Sequence, residues 1–96
     1  MSTLPTIQKS PYAELYYFYS WHDWLESGDS IAESTWDVPP GLTGTDPGFV
    51  NSADDHYTYI KLAGGDIGES HKVVNKIATS TGLREQQTLV FEIAER

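Results

Sequence analysis

The chain has 96 residues, with 14 acids against six bases, giving a formal net charge of −8 and room for one domain with one modest core. There is no cysteine, which excludes a disulfide framework and a thiolate metal site. No stretch approaches the roughly 20 apolar residues that span a bilayer, and six Lys and Arg are too few to neutralise a phosphate backbone.

The opening Met1-Ser2-Thr3-Leu4-Pro5 lacks the basic start and apolar run of a signal peptide, so a soluble, non-secreted protein is expected. Charge is unevenly placed. Residues 1–55 hold nine acids and one base, Lys9, while residues 56–96 hold five of each. An acidic half steers encounters with a basic protein surface, although charge also serves plain solubility. Nucleic acid and membrane are not expected partners.

Residues 1–10 read as an N-terminal extension or edge segment, and residues 11–96 as the domain. The first strand is Leu15-Tyr16-Tyr17-Phe18-Tyr19-Ser20-Trp21, rich in the aromatics that strands favour. Alternation sends Leu15, Tyr17, Tyr19 and Trp21 one way and Tyr16, Phe18 and Ser20 the other. Both faces are largely apolar, so both are expected to be covered, one by a second sheet and one by the N-terminal segment or a partner. Trp21 to Leu25 fits one helical turn, with Trp21, Trp24 and Leu25 on one side. Glu26-Ser27-Gly28-Asp29 is a turn.

Ser30 to Val38 reads as the next strand, stopped by Pro39-Pro40. Gly41 to Asn51 is rich in Gly, Pro, Thr and Asp and is expected to be a loop, with at most a short strand near Phe49-Val50. In Tyr57 to Leu62, Thr58, Ile60 and Leu62 suit an inner face. Gly64-Gly65-Asp66-Ile67-Gly68 is a loop whose glycines permit positive φ. Glu69 to Thr79 is a strand with Val73, Asn75 and Ile77 on one face. Ser80-Thr81-Gly82-Leu83 turns the chain, and Thr88 to Ala94 closes it with Leu89, Phe91 and Ile93 inward. Short strands at this spacing predict an all-β fold, a single immunoglobulin/fibronectin III-like β-sandwich of about seven strands.

Catalytic and metal chemistry is poorly represented. His22, His56 and His71 have no partner at ligand spacing, although His22-Asp23 and Asp54-Asp55-His56 can meet in a fold. Asp46, Asp54, Asp55 and Asp66 lack the alternation of a calcium loop. There is no G-x-S-x-G elbow, and the Gly64–Gly68 segment lacks the Lys of a phosphate loop. No cofactor, metal or catalytic residue is expected, and the chain is not expected to be an enzyme.

Six Tyr, three Trp and three Phe form the one compositional excess. Trp21, Trp24 and Trp36 are expected in the core. Tyr12, Tyr16, Tyr57 and Tyr59 are candidates for partner contact, because aromatics anchor protein interfaces. Asp37, Asp54 and Asp55 join them as acids from the charged half.

The blocks Tyr19-Ser20-Trp21-His22-Asp23-Trp24-Leu25, Gly28-Asp29-Ser30-Ile31 and Ser34-Thr35-Trp36-Asp37-Val38-Pro39-Pro40-Gly41-Leu42-Thr43 resemble a family of small phage and prophage virion proteins of the fibre–tail adaptor type. The family's blocks read D-W-S-x-W-L, G-D-T-I and S-x-W-x-V-P-x-G-L. Leu62-Ala63-Gly64-Gly65, Val73 to Ser80 and Gly82-Leu83-Arg84 extend the resemblance over roughly residues 10 to 95. Ser20 stands where the family has Asp, His22 where it has Ser, and His71 where a Tyr resembles the tyrosine corner of sandwich domains.

The resemblance implies a non-enzymatic virion structural protein connecting tail components. It would bind other virion proteins, with self-association in a ring or trimer as a further expectation, and would reside in the virion after assembly in the host cytoplasm. The alternative is a capsid decoration or host-surface carbohydrate-binding domain, which calls for exposed Trp or Tyr side by side on one face.

Overall fold

The computed structural model describes residues 4–95. Within them the chain is all-β, with seven strands: β1 Thr6–Lys9, β2 Leu15–Ser20, β3 Ile31–Asp37, β4 Leu42–Asn51, β5 His56–Gly64, β6 Ser70–Thr79 and β7 Arg84–Ile93. They form two sheets, one of order β1-β7-β6-β3 and one of order β2-β5-β4. β1 runs parallel to β7, and the other pairings are antiparallel.

The inward sets follow from alternation. Thr58, Ile60 and Leu62 on β5, Val73, Asn75 and Ile77 on β6, and Leu89, Phe91 and Ile93 on β7 are all buried. Leu42, Ile60 and Leu62 from the three-stranded sheet pack with Val73, Leu89, Phe91 and Ile93 from the four-stranded one, so the main core lies between the sheets. A second cluster of Trp21, Ile31 and Ile77, with Tyr19 and Leu25 against it, fills one end. Trp21 and Leu25 meet there because Leu25 N–H donates to Trp21 O at 3.0 Å, closing the expected single helical turn.

Several expectations are corrected. Gly41 to Asn51 is not a loop but contains the ten-residue β4. Pro and Gly are tolerated because β4 is an edge strand and its ladder with β5 breaks at a bulge between Thr45 and Gly48. β7 begins at Arg84 rather than Thr88. Trp24 is 38% exposed, stacked edge-on against Trp21 rather than buried, while Trp36 is half-buried against the core. Among the described residues the N-terminal strand does not cover the outer side of β2, because it docks on β7 in the other sheet, which leaves a partner as the expected cover.

Three polar clamps hold the sheets together. Asn75 is fully buried, and its amide makes four bonds: Oδ1 accepts from Trp21 Nε1 (2.9 Å) and Thr58 Oγ1 (2.7 Å), and Nδ2 donates to Ser34 Oγ and Thr35 O (each 3.0 Å). That exhausts the donors and lone pairs of one amide. Asn51 copies a strand partner, accepting from Ile31 N and donating to Ile31 O at 2.9 Å each, which ties β4 to β3. Lys9 is 1% exposed and donates to Ser10 O at 3.0 Å and Gly64 O at 2.6 Å, tying β1 to the end of β5; burial pushes its pKa down.

Asp29 secures the turn before β3. It is buried, and accepts from Ser80 Oγ (2.7 Å), Thr81 Oγ1 (2.8 Å) and Ser30 N (2.8 Å). The Ser80 hydroxyl foremost, with the Thr81 hydroxyl and Ser30 amide, holds its carboxyl well below the usual carboxylate range, outweighing burial.

Replacing Asn75 with Leu will strand the Trp21 N–H and Thr58 hydroxyl inside the core and cost about 2–4 kcal/mol in urea unfolding. A loss under about 0.5 kcal/mol would show that the network contributes nothing net. For Asp29, the folded pKa lies below the unfolded one, so its stabilisation is complete above the unfolded value near 3.9 and is lost as pH falls beneath it. Asp29→Asn should therefore lower stability at neutral pH and flatten the acid limb of a stability–pH curve. An acid limb unchanged in the variant would contradict this.

Candidate functional site

The register of the three-stranded sheet builds a surface from side chains that alternate away from the core. Phe18 lies opposite Tyr59, Tyr16 opposite Lys61 and Ser20 opposite Tyr57. On the far side of β5, Gly48 pairs with Tyr59, Thr45 with Lys61 and Val50 with Tyr57. Thr58, Ile60 and Leu62 are buried between these positions, so Tyr57, Tyr59 and Lys61 must point outward.

The result is a continuous aromatic ladder. Tyr57 meets Phe18 edge-to-face at 5.7 Å and 71°, Phe18 meets Tyr59 at 6.1 Å and 49°, and Tyr59 meets Tyr16 at 5.9 Å and 71°. Offset and edge-to-face contacts at these distances suit the ring quadrupole. Gly48 makes the ladder possible: a Cβ there would strike the Tyr59 ring, so only glycine lets that ring lie across β4. Phe18 remains 59% exposed and Tyr16 46%.

Charged groups stand at both ends. At one, Lys61 Nζ lies 5.8 Å over the Tyr16 ring, 3.7 Å from Asp46 and 3.9 Å from Glu14, and the Tyr16 hydroxyl donates to Asp46 at 3.3 Å. Asp46 sits in the bulge at φ 50, a left-handed conformation that Asp tolerates. At the other end, Ser20 Oγ donates to Asp55 at 2.9 Å, and Phe18, Ser20, Asp55 and Tyr57 line a shallow open depression of about 310 Å³.

Of the partner-contact candidates, Tyr16, Tyr57, Tyr59 and Asp55 come together here, with Asp54 exposed on the neighbouring turn. Tyr12 and Asp37 do not join them. Tyr12 is 97% exposed on the β1–β2 connection, and Asp37 lies on the other sheet, 3.0 Å from Lys76. Phe18 is central to the ladder yet absent from the candidates. Its signal was available, since it shares a face with Tyr16 by simple alternation.

The Ser20 hydroxyl donates to a carboxylate rather than an imidazole, and His22 meets Ser20 only through its backbone N–H at 3.4 Å. His22 and His56 do meet, stacked at 5.6 Å with planes 12° apart. Because Asn51 Oδ1 is purely an acceptor, the His56 Nδ1 that lies 2.8 Å from it carries the proton. His71 bonds Glu69 at 3.0 Å. Among the described residues, no group of three or more His, Cys, Asp or Glu side chains is placed to hold a metal ion.

A family model described as podophage GP4 fiber-tail adaptor protein gp77 matches residues 9–92. The chain belongs to this family. No curated protein matches it. The region shared with the fiber-tail adaptor family takes in β2 to β6 whole, so every residue of the ladder and its acidic flanks lies inside it.

The exposed rings of the ladder should contribute little to stability. Phe18→Ala will cost at most about 1.5 kcal/mol, the value of an edge-to-face pair, whereas Phe91→Ala in the core will cost about 3–5 kcal/mol. Equal losses in thermal or urea unfolding would show that the ladder is part of the core.

Proposed function

We propose that this chain is a non-enzymatic, immunoglobulin-like connector that joins a fibre to the tail of a podophage particle. The observation that carries this reading is the outward-facing ladder of Tyr16, Phe18, Tyr57 and Tyr59, in which Tyr16 and Phe18 are exposed and Tyr57 and Tyr59 half-buried. Contiguous exposed aromatics on a small domain mark a protein contact surface. Membership of the fiber-tail adaptor family supplies the setting.

The strand order supports the immunoglobulin-like part of the proposal. β2-β5-β4 corresponds to the B-E-D set and β3-β6-β7 to the C-F-G set of that fold. The first strand departs from the constant-type arrangement by joining the second set, parallel to β7. A cysteine-free connector also suits assembly in the reducing host cytoplasm before incorporation into the virion.

Side-by-side exposed aromatics also meet the requirement of the carbohydrate-binding alternative, so the test must separate the two. Changing Phe18 and Tyr57 together to Ala in the phage should leave the protein folded and reduce fibres per particle by about tenfold or more. Absence of the chain from purified virions would overturn the connector reading. Fully fibred particles that have lost adsorption to host glycans would favour the carbohydrate reading instead.

A further inference from the structure

Sheet edges are where a small β domain is exposed to pairing with other chains, and stable proteins blunt them. Three of the four edges here carry such devices. β4 has Pro47 and a bulge between Thr45 and Gly48. β3 has a bulge between Ile31 and Glu33, carries Glu33 and Asp37, and runs out towards Pro39. β1 is four residues long, follows Pro5 and ends in the buried Lys9.

β2 has none of these. Leu15-Tyr16-Tyr17-Phe18-Tyr19-Ser20 contains no charge, proline or glycine, and its register with β5 is unbroken. The strand before it in sequence goes to the opposite sheet, so among the described residues no strand pairs with the flank of β2 away from β5. Leu15, Tyr16 and Phe18 are 56%, 46% and 59% exposed along it.

We propose that the β2 edge accepts an extended segment of another virion protein as a fourth strand of the β2-β5-β4 sheet, and that this segment is apolar in its middle and carries lysine or arginine at its ends. The proposal rests on the connector reading above and names the chemistry of its partner. Main-chain bonds along β2 would supply affinity, and alternate side chains would extend the ladder beside Tyr16 and Phe18.

Charge decides the ends of the segment. Glu14 directly precedes the strand, and Asp55 is bonded to Ser20 at its close, with Asp54 beside it. Lys61 is already engaged by Glu14 and Asp46, and Lys9, the one base of residues 1–55, is inside the domain. A second copy of this chain is a poor occupant. Antiparallel pairing of two β2 edges sets the Glu14 end of one against the Asp55 end of the other, and parallel pairing sets Glu14 beside Glu14, so like charges meet either way.

The test uses assembled particles. Phage would carry the photoreactive residue p-benzoylphenylalanine in place of Phe18, with a second phage carrying it in place of the exposed Thr35 on β3. After irradiation, the linked peptides are sequenced by mass spectrometry. Hydrogen exchange of residues 15–20 is compared between virions and the free protein. The expected result is a Phe18 link to an alternating apolar segment with Lys or Arg at its ends, no such link from Thr35, and exchange along β2 slowed by about tenfold or more in virions. A Phe18 link to a second copy, to an acidic or helical segment, or to nothing would overturn the proposal, as would unchanged exchange. If the chain is missing from the particles, the connector reading itself fails. If it is present with β2 unprotected, only the strand-addition proposal fails.

Discussion

The arrangement turns on one buried amide. Asn75 sits fully inside a sandwich-like core and spends all its bonding capacity on groups from β3, β5 and the segment after β2. An apolar residue there would allow the sheets to slide, since hydrophobic contact is non-directional. The amide admits one alignment, because any shift leaves buried donors unpaired at about 1–3 kcal/mol each. Trp21 is thereby fixed at the end of β2, and the phase of β2 follows: Tyr16 and Phe18 outward, Trp21 inward.

The outer ladder is a consequence of that phase. β5 must turn Thr58, Ile60 and Leu62 to the core, which leaves Tyr57, Tyr59 and Lys61 on the surface. Soluble single domains normally place smaller or charged residues at such positions. Here aromatic rings touch in sequence across two strands, and a glycine on the third leaves room for the Tyr59 ring. The core comes from the opposite faces of the same strands, so the surface is free to serve a partner without carrying the fold.

Charge and topology reinforce each other. The acidic half of the chain supplies β2 and β4 and the turns at their ends, while its single base is withdrawn into the interior to clamp β1 to the end of β5. An aromatic face rimmed by carboxylates results. The same choice of β1 for the β7 edge leaves β2 paired on its β5 side alone among the described strands, which places an unblunted edge beside that face.

Alternation was readable wherever both ends of a strand were marked by turns. β5, β6 and the second half of β7 show their inward residues in the sequence because side-chain direction has a period of two and depends only on local backbone. Tyr16, Tyr57 and Tyr59 stood out by type for the same reason that Phe18 was passed over: as a plain hydrocarbon ring it reads as core until the face it occupies is known to be bare. β4 was hidden because Gly44, Pro47 and Gly48 signal a loop, and only the edge position and bulge make them compatible with a strand. The sequence by itself determined the all-β class, the direction of most side chains and the acidic character of the first half, all of which are local or additive properties. The tertiary structure alone decided that β1 joins β7, that Lys9 is buried and Trp24 is not, and that the N-terminal strand does not cover the outer side of β2. Those outcomes depend on which distant strands pair, and long-range pairing is set by the shared core rather than by any one segment.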